Sequence, residues 1–409
     1  MERKNFLVID TNIGIDHALA LGKLGHKVYY YIDCREPYPK MQSTISGRGF
    51  SEIKKINDYG KVLDDVDCVI FTDVGYGNLA DWLRKGFPVV GADRVSQYLE
   101  LDRIYAKRIM EEYEIATPKY QIIKGVKRLR EFVQDNPEKK FFIKINEFRG
   151  NIETFSVSSV EELDLMLGNA GFGPFEDVVE FCVEEASPGV EIGADIFFNG
   201  EEFLQPHLYT IEVKGMGNIA RYVEDSVFME QVFNRIQPYL AENGYHGNIS
   251  VEGFLDEDGI FRVIDWTTRF PFPGSAIFPR AIKNYDEVLW CTANGEHTSL
   301  VIEEPFWVEM GIYTPDQIWK EIHFPQEYYP HIGFRRVVKK DDRFIYVPGD
   351  SLVCTISTGS SSLREAMNAC LAVAKEVSVF TSDSPVGMKQ MFMEIVEELN
   401  KIGDKTFAK

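Results

Sequence analysis

The 409-residue sequence predicts a multidomain protein mixing α/β and α+β architecture, on three observations. Short apolar runs alternate with helical stretches over residues 1–92, paired strands about tight turns dominate the middle, and no low-complexity tether separates the segments. The chain exceeds one ordinary core, and 44% apolar with 13% aromatic residues suffice to bury several. No internal repeat is present.

The elements follow in order. Residues 6–10 form an apolar strand, residues 16–24 carry helical spacing that closes on Gly25, and residues 28–32 and 68–72 are further strands. Strand, helix, strand at this rhythm predicts a parallel sheet, with any ligand site beyond the carboxyl ends of its strands. Pro88-Val-Val-Gly91 ends this first region, bounded at residue 92. A charged amphipathic helix over 97–115 stops before Thr117-Pro118, because the residue preceding a proline avoids the α region.

Strands are expected at 120–123 and 140–145, with helices at 126–134 and 159–167. Residues 178–183 and 191–198 read as antiparallel strands about a turn at Ser187-Pro-Gly189. A long helix covers 226–243, and strands at 248–255 and 261–266 flank the turn Asp256-Glu-Asp-Gly259, whose glycine supplies a positive φ. Beyond residue 326 come strands near 335–338, 344–347 and 352–357, then helices at 362–377 and 386–402. Three packed parts are expected: 1–92, 93–325 with a smaller lobe over about 115–190, and 326–409.

Composition excludes several function classes. A net charge of −20 argues against a broad nucleic-acid face, which needs clustered Lys and Arg. No run of eighteen apolar residues occurs, so no membrane span is expected. Met1-Glu-Arg-Lys-Asn runs into a strand without secretory-signal design, and six scattered cysteines (34, 68, 182, 291, 354, 370) lack zinc spacing. Reduced core thiols and a cytoplasmic location are the expectation.

The chemistry concentrates in residues 247–269. A hairpin places Glu252 and Asp265 on adjacent strands, where facing side chains come within about 5 Å. Two carboxylates that close repel unless a cation separates them, and Mg²⁺ accepts such oxygens while keeping substrate phosphates. Thr267 and Arg269 follow at alternate positions on the same face, completing a stripe suited to a metal-bound triphosphate and an acyl phosphate. An exposed hairpin with solvated acids would explain the same alternation.

The pattern Glu252…Asp265-x-Thr267-x-Arg269 resembles the metal-binding hairpin of ATP-grasp ligases, usually carboxylate…Glu-x-Asn-x-Arg. The resemblance extends, in order and spacing, to the glycinamide ribonucleotide synthetases (phosphoribosylamine–glycine ligases). Gly14-Ile-Asp-His17-Ala-Leu is similar to their opening Gly-Arg-Glu-His-Ala-Leu. Leu101-Asp-Arg103-Ile-Tyr-Ala-Lys107 ahead of Ile115-Ala-Thr-Pro resembles their Ser-Lys-x-x-x-Lys helix and following strand. Phe142-Ile-Lys144 resembles their Val-Ile-Lys strand, and Glu184-Glu-Ala-Ser-Pro-Gly-Val-Glu191 their nucleotide hinge. The end, Asp350-Ser-Leu-Val-Cys-Thr-Ile-Ser and Leu363-Arg-Glu-Ala, resembles their closing strand and helix.

The resemblance implies an N-terminal parallel-sheet domain, a central ATP-grasp fold and a small C-terminal α/β domain. It implies ATP and Mg²⁺ as cofactors, with small-molecule carboxylate and amine substrates. Lys144 and Arg103 would bind phosphates; Glu184 and Glu185 would flank the adenine hinge, and Glu191 would accept ribose hydroxyls. Glu252, Asp265 and Thr267 would hold the metal, and Arg269 would stabilise the transferring phosphoryl group.

Four departures separate this chain from that family. Its Gly-Lys-Gly phosphate loop is Ile145-Asn-Glu-Phe-Arg149-Gly150-Asn here, and Thr267 replaces the usual Asn. Phe270-Pro-Phe-Pro273-Gly stands for Phe-Gly-Asp-Pro-Glu, and Thr72-Asp73-Val-Gly75-Tyr-Gly77 for a Gly-Pro-Glu loop. Both substrate loops are rewritten while nucleotide residues persist, pointing to a ligase for a pair other than glycine and phosphoribosylamine. The alternative is a nucleotide-binding homologue without ligase activity, serving as regulator or scaffold. His17, His246, Lys214-Gly-Met-Gly217 and Ser360–Ser362 weigh less as site residues.

Overall fold

The computed structural model describes residues 1–33, 44–137, 139–147, 154–168, 171–316, 318–379 and 388–408. Cys34, the Arg149-Gly150-Asn151 loop and the onset of the last helix at 386 lie outside the described residues.

Five parallel strands open the chain: β1 (Asn5–Asp10), β2 (Lys27–Ile32), β3 (Lys54–Ile56), β4 (Cys68–Phe71) and β5 (Val89–Val90), in the order β3-β2-β1-β4-β5. β3 is a short Lys-Lys-Ile edge strand with no apolar run to betray it. The order reverses between β1 and β4, which opens a crevice at their carboxyl ends. Asp10 fills that position. Its buried carboxylate accepts the backbone N–H of Ile13 (3.0 Å) and Gly14 (2.9 Å) and the Thr72 hydroxyl (2.7 Å), tying the two loops together.

A smaller antiparallel sheet follows, built from β6 (Tyr120–Lys124), β7 (Phe141–Ile145), β8 (Thr154–Val157) and β9 (Glu180–Glu185), in the order β6-β9-β7-β8. Helices Val126–Asp135 and Val160–Gly168 cover it. Leu129, Val133, Phe141, Ile143, Leu163 and Phe181 form its own core, separate from the main one. A lobe with a private core can tilt as a unit.

The central strands are β10 (Val190–Phe198), β11 (Phe203–Val213), β12 (Gly217–Val223), β13 (Gly247–Leu255), β14 (Phe261–Thr267) and β15 (Phe306–Tyr313). Thereafter come β16 (Lys320–His323), β17 (Ile332–Phe334), β18 (Val337–Lys340), β19 (Arg343–Tyr346), β20 (Leu352–Ser360) and β21 (Ser378–Val379). An eight-stranded sheet runs β14-β13-β10-β11-β12-β15-β20-β17, and a four-stranded one β18-β19-β16-β21. Strands from beyond residue 325 thus complete the central sheet, and helix Met388–Lys401 packs under β10 and β11. One apolar core joins the N-terminal sheet, the large sheet and the last helices.

Two expectations are corrected. Residues 178–183 and 191–198 do not pair: β9 bonds β6 and β7, whereas β10 bonds β11 and β13. Ser187-Pro-Gly189 carries the chain from one sheet to the other, because Gly189 (φ +108°) packs so tightly on the Leu255 carbonyl that a Cβ would meet it at 2.1 Å. The helix over 97–115 is two, Tyr98–Leu101 and Arg103–Glu112, broken at Asp102. The extended Asp102 turns its carboxylate onto the N–H of Ile104 (3.0 Å) and Tyr105 (2.9 Å), so it starts a helix where periodicity alone reads one through.

Candidate active site

The β13–β14 hairpin places Glu252 opposite Asp265. Asp256 organises its turn, accepting the N–H of Asp258 (3.0 Å) and Ile260 (2.9 Å), while Gly259 takes φ +74°. The pairing then slips: Gly253 faces Val263, and Ile264 bulges from the ladder. The freed Ile264 carbonyl accepts a hydrogen bond from the Lys144 ammonium of β7. Gly253 is required by close approach, since a Cβ there would lie 2.2 Å from the Arg262 carbonyl oxygen.

The lobe and the hairpin enclose a cleft of about 510 Å³. Lys144, Glu184 and Glu185 line it from the lobe; Glu191, Glu252 and Asp265 line it from the large sheet. Lys214, from the turn between β11 and β12, reaches in as well. The cations and anions here are interleaved. Glu184 is buried between Lys107 (2.6 Å) and Lys144 (3.4 Å). Burial pulls both ammonium groups toward neutrality; at Lys107 it prevails over Glu184, whereas at Lys144 the carboxylates of Asp265 and Glu184 reverse it and raise the pKa. Burial likewise pushes Asp265 up, but Lys144, Arg103, Lys214 and Lys107 together hold its carboxyl below the ordinary range, so it is ionised at neutral pH. Glu252, less well compensated, is raised by burial and by Asp265 and Glu191.

Arg103 does not line the cleft. It is buried at the start of its helix, within electrostatic reach of Lys144 and Asp265, and the next residue's N–H reaches Asn146 beyond β7 (3.3 Å). Glu184 faces inward onto the two lysines, while Glu185 pairs with Lys139 (3.0 Å) and gives its N–H to the Lys119 carbonyl (2.8 Å).

Thr267 and Arg269 line a second, smaller chamber of about 160 Å³, which shares Glu191 and Glu252 with the cleft. Arg269 is held at its wall by Glu100 (2.9 Å) and Asp73 (3.3 Å), and Glu100 also accepts the Thr268 N–H (2.9 Å). The rewritten Pro271, Phe272 and Gly274 form one side of the chamber, and Arg335 stacks on Phe272 at 3.8 Å. Asp195, Glu212 and Asn218 form another. Burial raises the Asp195 carboxyl to about 7 despite a bond from the Ser250 hydroxyl. It also raises Glu212, with Glu252 adding to the effect.

From the sequence neither Asp195 nor Glu212 is named, Lys107 enters only within the Arg103 helix motif, and Lys214 carries lesser weight. Lys107 stands one helical turn after Arg103, a spacing visible in the sequence. Asp195 interrupts the apolar run of β10, which is also a readable signal. Lys214 is marked by the Gly-Met-Gly that follows it, and Glu212 carries no such mark. His17 is structural: buried, it bonds Tyr285 (2.7 Å) and Ser275 (3.3 Å), and burial lowers its pKa to about 3. His246 bonds the Thr292 carbonyl (2.8 Å), and Ser362 caps helix Leu363–Glu376. Among the described residues no three His, Cys, Asp or Glu side chains converge to hold a metal ion by themselves, and no helix is long and apolar enough to cross a membrane. Cys68, Cys182, Cys291, Cys354 and Cys370 are buried thiols.

No family model matches the chain. It is 24% identical over 327 residues to the phosphoribosylamine–glycine ligase of Caldanaerobacter subterraneus, covering 73% of this chain and 76% of that protein. Among solved structures it resembles the phosphoribosylamine–glycine ligase of Thermotoga maritima (TM-score 0.68, 19% identity, 92% and 98% coverage). It also resembles the biotin carboxylase domain of Hydrogenobacter thermophilus 2-oxoglutarate carboxylase, solved with MgADP and bicarbonate (TM-score 0.68, 14% identity, 100% and 99% coverage). A third likeness is to the L-amino acid ligase of Bacillus licheniformis (TM-score 0.62, 13% identity, 94% and 100% coverage). The chain has the ATP-grasp fold.

Proposed function

We propose that this chain is an ATP-dependent carboxylate–amine ligase acting on a pair other than glycine and phosphoribosylamine. The observation that carries the reading is the facing pair Glu252 and Asp265 opposite Lys144 in the cleft, with Glu252 also lining the chamber. A triphosphate in the cleft would then meet the acid at that pair, beside the chamber.

The residues present fit Mg²⁺. Two carboxylates, one held ionised by four nearby cations, supply hard oxygens and leave positions for phosphate oxygens, the arrangement this ion prefers. The ion, when bound, supplies charge neutralisation on the phosphate oxygens. Thr267 faces the chamber side and would complete the set as a weaker donor.

The chain's own residues then act by position and charge. Lys144, fixed by the Ile264 carbonyl and Glu184, would hold the nucleotide phosphates, with Arg103 and Lys107 behind it. Glu191 would accept ribose hydroxyls, and the β9 segment at Glu184 and Glu185 would border the base. Arg269, already oriented by Glu100 and Asp73, would stabilise the phosphoryl group as the substrate carboxylate attacks it. The acid and ATP give an acyl phosphate and ADP. An amine then displaces phosphate at the acyl carbon, forming the amide.

The test is ADP release from MgATP over a panel of acids and amines, with Asp265→Asn as control. Release that requires both an acid and an amine, and that falls by about 10²-fold or more in the variant, is expected. Nucleotide binding without release from any pair would favour a non-catalytic role.

A further inference from the structure

We infer that the chamber behind the Glu252 wall binds the amine substrate as a compact ammonium ion carrying no anionic group of its own. This rests on the ligase reading and adds the chemical class of the acceptor. Its polar side chains are mostly acceptors. Asp195, Glu191, Glu212 and Glu252 bring carboxylates from three strands, and the Ser250 hydroxyl is already given to Asp195. Arg269 is the one cation in the wall among the described residues, and Glu100 and Asp73 engage it.

Asn218 supplies the independent sign. It is 5% exposed and lines the chamber; its NH₂ donates to Glu309 (2.8 Å), while no described donor reaches its side-chain carbonyl oxygen. Lys214 acts on Glu191, Glu212 and Glu252 from the cleft side but no cation acts on Asp195, and an acceptor left open beside that acid calls for a ligand rich in N–H donors. A metal ion is a poorer match, because no three acidic side chains converge tightly enough among the described residues. An ammonium spreads its donors over several acceptors without that convergence. The volume of about 160 Å³ admits on the order of ten non-hydrogen atoms. A phosphorylated or carboxylated amine would set its anion against these carboxylates.

The chemistry balances. The amine nitrogen bonds to the acyl carbon, and the carbon–oxygen bond to phosphate breaks with its electron pair leaving on phosphate. Of the two protons the ammonium loses, one ends on phosphate and the other in solvent.

Calorimetric titration of the full chain, with Mg²⁺ and a non-hydrolysable ATP analogue, tests this using 1,4-diaminobutane and L-aspartate as probes. Saturable binding of 1,4-diaminobutane, weakened at least about 10-fold in both Asp195→Asn and Glu212→Gln, is expected, with L-aspartate binding more weakly. Both variants are near-isosteric, and their thermal midpoints report whether they fold. Unchanged diamine affinity in both, absence of diamine binding, or preference for L-aspartate would overturn the inference. Diamine binding lost in the variants, with no ADP release from any acid and amine, would remove the ligase reading and leave the ammonium chamber standing.

Discussion

In the cleft, Glu184 lies between Lys107 and Lys144, and Asp265 is surrounded by four cations, so each buried charge already has its opposite. Across the Glu252 wall, Asp195 sits in the chamber with no cation acting on it and Glu212 has only Lys214, and burial drives both carboxyls toward the protonated form. The cleft is therefore pre-organised before any ligand arrives, whereas the chamber stores an electrostatic cost that a cation would relieve. A ligase benefits from both. Phosphates need fixed charges that do not reorganise, and an amine needs a site whose affinity depends on its own charge.

The contrast can be broken most strongly at Glu184. Glu184→Gln leaves Lys107 and Lys144 buried without their shared anion, and a loss of about 3–5 kcal/mol in denaturant-measured stability is expected. An unchanged denaturation midpoint would show that the cleft is not balanced in this way. A smaller effect is expected from Gly253→Ala, whose Cβ would press on the Arg262 carbonyl and shift Glu252 against Asp265. It should cost about 2 kcal/mol and weaken MgATP binding together, both read by thermal melting with and without nucleotide.

The smallest effect carries the opposite sign. Asp195 has its carboxyl raised from 3.8 to about 7 in the fold, so the folded protein holds that proton more tightly than the unfolded chain. Its contribution is full below the unfolded value and is lost as pH rises through about 7. Asp195→Asn should therefore stabilise the protein at pH 8 by on the order of 1 kcal/mol and should flatten the dependence between pH 4 and 7. Destabilisation at pH 8 would mean that the chamber carboxylates are compensated after all.

The same two regions differ in how far the sequence disclosed them. The cleft rests on local signals: a Gly-closed hairpin that sets Glu252 against Asp265, a lysine in an apolar strand, and an acidic pair before Ser187-Pro-Gly189. Each is decided by neighbours close in the chain, so spacing sufficed. The chamber is assembled from β10, β11, β13 and the start of β12, whose order in the sheet depends on long-range pairing. β11 and β12 have no turn signal stronger than Lys214-Gly-Met-Gly217, and neither strand was anticipated. Without that pairing Asp195 and Glu212 are isolated acids on separate strands. The missed break at Asp102 and the misread turn at Ser187-Pro-Gly189 have a related cause: capping and close backbone approach are tertiary facts that periodicity does not report.

Transfer of oxygen from the acid to phosphate tests the central claim most directly, because it requires both compartments to act on one substrate. With the carboxylate of a productive acid labelled by ¹⁸O, mass spectrometry of the phosphate released during turnover should find one labelled oxygen, and ADP should carry none. Label in the phosphate would establish an acyl phosphate intermediate. Phosphate free of label during amine-dependent turnover would contradict the account.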